Sequence, residues 1–134
     1  DSLDTQNLAQ VFRFDITPDQ VRQASNRVNV GAPVGKLRGY RLPLVTGNAA
    51  HDISGSLAYF FEGAQARRIT FEGSSSDPRP LIEFLRQQFG FQRVNSRNPG
   101  VETYSARTNC SGLLRITPAT HSNARCQIDL SIAR

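Results

Sequence analysis

From Leu57 to Gly90 the chain reads LAYFFEGAQARRITFEG and then SSSDPRPLIEFLRQQFG, a hairpin followed by a capped helix. Leu57, Tyr59 and Phe61 alternate with Ala58 and Phe60, and across the turn Ile69 and Phe71 alternate with Arg68 and Thr70. Period-two alternation marks strands with one buried face. A two-residue Gly63-Ala64 loop would set Tyr59 opposite Arg68 and Ala58 opposite Ile69. Pairing Tyr59 with Ile69 and Leu57 with Phe71 gathers the large apolar groups on one face, which predicts an odd loop around Gly63, Ala64 and Gln65. In the helix, Asp77 is the expected N-cap, Pro78 takes the first helical position, and Pro80 stays within the first turn, where N–H groups lack partners. Leu81, Ile82, Leu85 and Phe89 form an apolar stripe at helical spacing. Gly90 is the expected left-handed terminator, which lets Phe91 fold back toward Leu85.

The rest of the chain repeats these themes. Residues 1–10 are polar and read as a lead-in or a short helical turn. Phe12, Phe14 and Ile16 alternate with Arg13 and Asp15 and predict a strand. Thr17-Pro18-Asp19-Gln20 is a capping box with Ile16 and Val21 as its hydrophobic staple, opening a short helix that ends near Asn26. Arg27 to Val30 is extended and Gly31 to Gly35 is a loop. Tyr40, Leu42 and Leu44 mark a strand in which Pro43 requires an edge position or a bulge. Thr46 to Gly55 reads as a polar loop. Beyond the central helix, Gln92 to Val94 is extended and Ser96 to Gly100 is a turn. Strands follow at 101–106, 113–117 and 124–132, the last with Cys126, Ile128, Leu130 and Ile132 on one face.

The order helix, extended turn, strand, hairpin thus occurs twice. Arg27-Val28-Asn29 before Pro33 matches Arg93-Val94-Asn95 before Pro99, Tyr40 matches Tyr104, and Ala66-Arg67 matches Ala124-Arg125. The expected fold is a single α+β domain over residues 1–134, with two short helices packed on one face of an antiparallel sheet. An internal duplication of halves 11–73 and 74–134 about a pseudo-twofold axis would account for the repeated order.

A chain of 134 residues is long enough for one domain with a sizeable core. No apolar run approaches the roughly 18 residues that a spanning helix needs. The chain begins at Asp1 and lacks methionine, so it is expected to be a processed piece of a longer product. The formal charge is +5, and every basic residue except Lys36 is arginine. Arginine suits phosphate and carboxylate recognition, although codon usage explains the preference as well, and the arginines are spread along the chain. Cys110 and Cys126 leave a disulfide open if the chain is exported. A simple hairpin of 113–117 with 124–132 would separate them by about 17 Å, whereas a disulfide needs Cα atoms within about 7 Å. Bonding therefore requires a different pairing.

No pattern of residues points to catalysis. His51-Asp52 lies in a polar loop, and adjacent side chains usually diverge. His121 sits in a Thr120–Asn123 turn. No serine elbow, P-loop or dinucleotide glycine pattern occurs, and neither histidine stands at metal-ligand spacing from a cysteine. No cofactor, metal site or enzymatic activity is expected. Phe60, Arg67 and Arg68 are the candidate binding residues, because exposed aromatics stack bases and arginines hold phosphates. The plainer reading makes Tyr59 and Phe61 core, and Phe60, of opposite parity, decides between the two.

Thr17-Pro18-Asp19-Gln20-Val21 and Gly31-Ala32-Pro33, followed by an aromatic hairpin, resemble the SmpA/BamE-like outer-membrane lipoproteins over residues 16–72. The whole chain also resembles an uncharacterised bacterial exported domain family. The resemblance implies a small antiparallel sheet in a non-enzymatic envelope scaffold. The function expected is a non-catalytic binding or scaffold domain, exported to the periplasm or beyond, that contacts protein or another envelope component. The alternative is a nucleic-acid or polyanion binder using the sheet arginines, with a cytoplasmic location as the counterpart to export.

Overall fold

The computed structural model describes residues 8–24, 29–30, 37–45, 53–96, 98, 100–107, 110–117 and 123–132. In order these form α1 (Leu8–Val11), α2 (Pro18–Ala24), β1 (Asn29–Val30), β2 (Arg38–Val45), β3 (Ile53–Glu62), β4 (Gln65–Ser75), α3 (Arg79–Phe89), β5 (Gln92–Val94), β6 (Glu102–Ala106), β7 (Ser111–Thr117) and β8 (Ala124–Ser131). The strands make one antiparallel sheet in the order β1-β2-β3-β4-β8-β7-β6-β5. The sheet dominates, and the α+β class holds, with three helices among the described residues where two were expected.

The register shows why one face is dry. Leu42, Leu57, Phe71, Ile128, Leu114 and Tyr104 are successive partners across six strands, and all six are buried. Against this row pack Leu81 and Leu85 of α3, Val21 of α2 and Phe12 after α1. Phe12 meets Phe71 edge-on at 6.4 Å and lies 6.2 Å from Phe84. The Tyr59 hydroxyl, buried beneath this layer, donates to the Val11 carbonyl. Burial pushes its pKa well above the ordinary value.

The pairing runs outward in step from the central Phe71–Ile128 pair. Ile69 faces Leu130 on one side and Gly73 faces Cys126 on the other. Leu57 then pairs with Phe71 as Leu114 pairs with Ile128, and Tyr59 with Ile69 as Ile116 with Cys126. Leu42 pairs with Leu57 and Tyr104 with Leu114.

The hairpin pairs Tyr59 with Ile69 and Leu57 with Phe71, as burial demanded. The odd residue is not in the loop. The turn is the two-residue Gly63-Ala64, with Gly63 at φ 64°, and Arg67 is a bulge where the register shifts between Phe60 and Phe61. A bulge repairs the register as well as a longer loop does and also bends the strand. At α3, the Asp77 carboxylate accepts the Arg79 N–H at 3.1 Å and is held at a pKa of about 2, first by its hydrogen bonds to the Arg79 side chain. Gly90 is left-handed at φ 72°, and Phe91 bonds back to the Leu85 carbonyl. The Thr17–Gln20 capping box is reciprocal, at 2.9 and 3.2 Å.

Several expectations need correction. Phe12 to Ile16 is not a strand. Phe12 and Ile16 are buried, but the segment is an irregular connector from α1 that lies over the sheet, so its alternation reflects packing without ladder bonds. Ile53 to Gly55 belong to β3 and not to a loop. Pro43 sits in the part of β2 that has a partner only on the β3 side among the described residues. Gly31 to Gly35, His51, Asp52 and His121 lie outside the described residues.

Candidate functional site

Helices cover one face of the sheet, and the other face carries its polar parity. Two neighbouring rows cross it. One runs Arg41, Ala58, Thr70, Asp129, Leu113 and the other Pro43, Ser56, Glu72, Gln127, Arg115. They border a shallow depression of about 380 Å³ over the central strands.

The charges here are ordered. Arg68 binds Asp129 through two hydrogen bonds, Nε to Oδ1 at 3.0 Å and Nη2 to Oδ2 at 2.6 Å, which raises the arginine pKa further. Arg125 stands 3.8 Å from Glu72, whose other oxygen accepts from Gln127 at 3.0 Å. Both pairs cross the β4–β8 junction, one on each side of its centre. Among the described residues Arg41 reaches only the Ser56 hydroxyl, at 3.2 Å. Arg115 is exposed and has no ion-pair or hydrogen-bond partner among the described residues. Among the described residues the face therefore carries two cations without carboxylates, separated by four strand spacings, roughly 19 Å.

The three candidate residues do not form one platform. Phe60 lies on the uncovered face, half-buried, packed where Gly39 leaves room and roofed by the Arg68 guanidinium 5.5 Å from its centroid. A cation over an aromatic face is attractive in itself, and it occupies the surface on which a base would stack. Arg67, the bulge residue, turns to Glu62 at 3.3 Å. That contact lies within ion-pair distance but lacks hydrogen-bond geometry, so its buried Nε is unsatisfied. Tyr59 and Phe61 are core. Sequence parity was enough to put Phe60 on the outer face. Arg41 and Arg115 were missed because only sheet order brings β2 and β7 onto one surface.

Cys110 and Cys126 are both free and buried. Cys126 sits beside Ile116, and Cys110 precedes Ser111 at the other end of β7, so the hairpin that argued against a disulfide is the one that forms. Among the described residues no three potential ligands gather as a metal site, and no helix is long and apolar enough to cross a membrane.

No curated protein and no solved structure matches the chain, and the SmpA/BamE-like resemblance finds no support. A family model does match, over residues 2–132, nearly the whole length. The chain belongs to the family of unknown function DUF6690.

Proposed function

We propose that this chain is a non-catalytic interaction domain that holds an acidic surface of a protein partner on the uncovered face of its sheet. The observation that carries it is the charge arrangement: Asp129 and Glu72 are each matched by an arginine, while Arg41 and Arg115 have no carboxylate partner among the described residues. Complementary charge across an interface sets partner choice and encounter rate. A second copy of the same face would be repelled. The polyanion alternative has less support, because Phe60 is roofed and Arg67 and Arg68 are engaged elsewhere. The separated free thiols remove the disulfide as an argument for an oxidising compartment, so the proposal does not rest on export.

We further read the sheet as two copies of one unit, a helix followed by four strands, joined at β4 and β8. The in-step register and the crosswise ion pairs support this.

The test is binding of labelled polyglutamate, single-stranded DNA and heparin across a salt series. Polyglutamate should bind at low salt, weaken as salt screens it, and lose at least tenfold in affinity in the Arg41→Glu, Arg115→Glu double variant. Tighter binding of DNA or heparin, with a steep salt slope and loss in Arg67→Ala with Arg68→Ala, would favour the polyanion reading instead.

A further inference from the structure

The sheet ends, among the described residues, at β5, a three-residue strand exposed along its whole length. Such an edge presents backbone donors and acceptors without partners. Its Val94 is 39% exposed, the one large hydrophobic so exposed among the described residues. Beside it a groove of about 660 Å³ runs between α3 and the β5–β6 edge, with Ile82, Phe91 and Tyr104 among its lining and Arg86 and Arg93 on its rim. That volume lies within the ordinary range of ligand sites.

Toward the opposite end of the sheet the tyrosine is covered. There α2 lies against β2, and Arg22 covers Tyr40, donating to its hydroxyl at 3.2 Å with the guanidinium 5.8 Å from the ring centre. Here α3 leans toward α1, and the Tyr104 hydroxyl donates only to its neighbour Glu102, at 2.8 Å. Arg86 and Arg93 stand along the groove. Glu83, the one carboxylate in its lining, is shared by Arg86 at 3.6 Å and Gln87 at 3.2 Å, and Glu102 is held by the Tyr104 hydroxyl, while Arg93 has no ion-pair or hydrogen-bond partner among the described residues.

We infer that the β5 edge and this groove receive an extended acidic peptide segment of a partner protein, added as a further strand with an apolar side chain in the groove and a carboxylate on Arg93. Strand addition takes affinity from main-chain bonds and specificity from pockets for alternate side chains. A second copy of this chain is a poor occupant, because pairing β5 with β5 about Arg93 sets like charges opposite one another. The site is separate from the uncovered face and stands or falls independently of it.

The test uses the full chain and three labelled peptides: Ac-TETFTET-amide, in which the glutamates share the phenylalanine's face as Arg93 shares the groove's, its Lys-for-Glu counterpart, and the acidic peptide with proline for phenylalanine. The acidic peptide should bind, and the other two should bind at least tenfold more weakly. Amide exchange should slow at residues 92–94. Read by the slowed exchange at 92–94, Arg93→Glu should weaken binding at least tenfold and Arg93→Lys should keep most of it. Absence of binding up to about 1 mM, equal binding of the lysine or proline peptide, unchanged binding in Arg93→Glu, or no protection at 92–94 would each overturn it.

Discussion

Phe60 shows how one side chain is settled by its neighbours. Alternation puts it on the polar side of the sheet, Gly39 makes room for the ring, and Arg68 covers it on the way to Asp129. Both ends of that ion pair are more than a third exposed, at 44% and 42%, so solvent screens it despite its bidentate geometry. A double-mutant cycle on Arg68 and Asp129 should give a coupling of about 0.5–1 kcal/mol, and the same cycle on Arg125 and Glu72 should give close to zero. Urea denaturation of the four-protein sets measures both. At Cys126, burial lifts the thiol from 9.0 to about 11. The folded state therefore holds that proton more tightly than the unfolded state does. Its contribution to stability is complete below pH 9 and is lost as pH rises toward about 11. A pH series of denaturation midpoints should fall across that window and fall less in Cys126→Ala. A thiol reagent at pH 8 should find both cysteines slow until the chain unfolds.

At the scale of elements, the long β3–β4 hairpin depends on two local devices. The Arg67 bulge restores the apolar register after a two-residue turn. Further along, Gly55 and Gly73 face each other, and a Cβ on Gly73 would overlap the Ser54 carbonyl oxygen and lie 2.6 Å from the Phe71 ring. The first of those neighbours is backbone and cannot swing aside. Gly73→Ala should therefore cost about 1–3 kcal/mol or more, as overpacking does. Gly90→Ala, with open space around it but φ at 72°, should cost only about 1 kcal/mol. Thermal melts of the two variants separate steric from conformational cost. These elements also show what could be read in advance. Alternation, caps and the apolar stripe marked the hairpin, both main helices and the last strands, because each is a local signal. Phe12 to Ile16 misled, since a connector draped over a sheet buries alternate residues just as a strand does. The bulge was misplaced because a loop residue and a bulge residue satisfy the same register.

For the whole molecule, the decisive fact is the order in which strands meet. The chain doubles back so that β4 joins β8, giving one continuous apolar row on the covered face and bringing Arg41 and Arg115 to the two flanks of the uncovered one. Nothing in the sequence around Arg41 or Arg115 distinguishes them from the other arginines, so the candidate surface became visible only with the topology. The central claim is that these two uncompensated arginines make the uncovered face a seat for acid. The direct measurement is a titration of the full chain with polyglutamate, following the arginine Nε–H signals by NMR. The account predicts that Arg41 and Arg115 shift first and together, while Arg68 stays with Asp129. Shifts led by Arg67 or Arg68, or spread evenly over all the arginines, would contradict it.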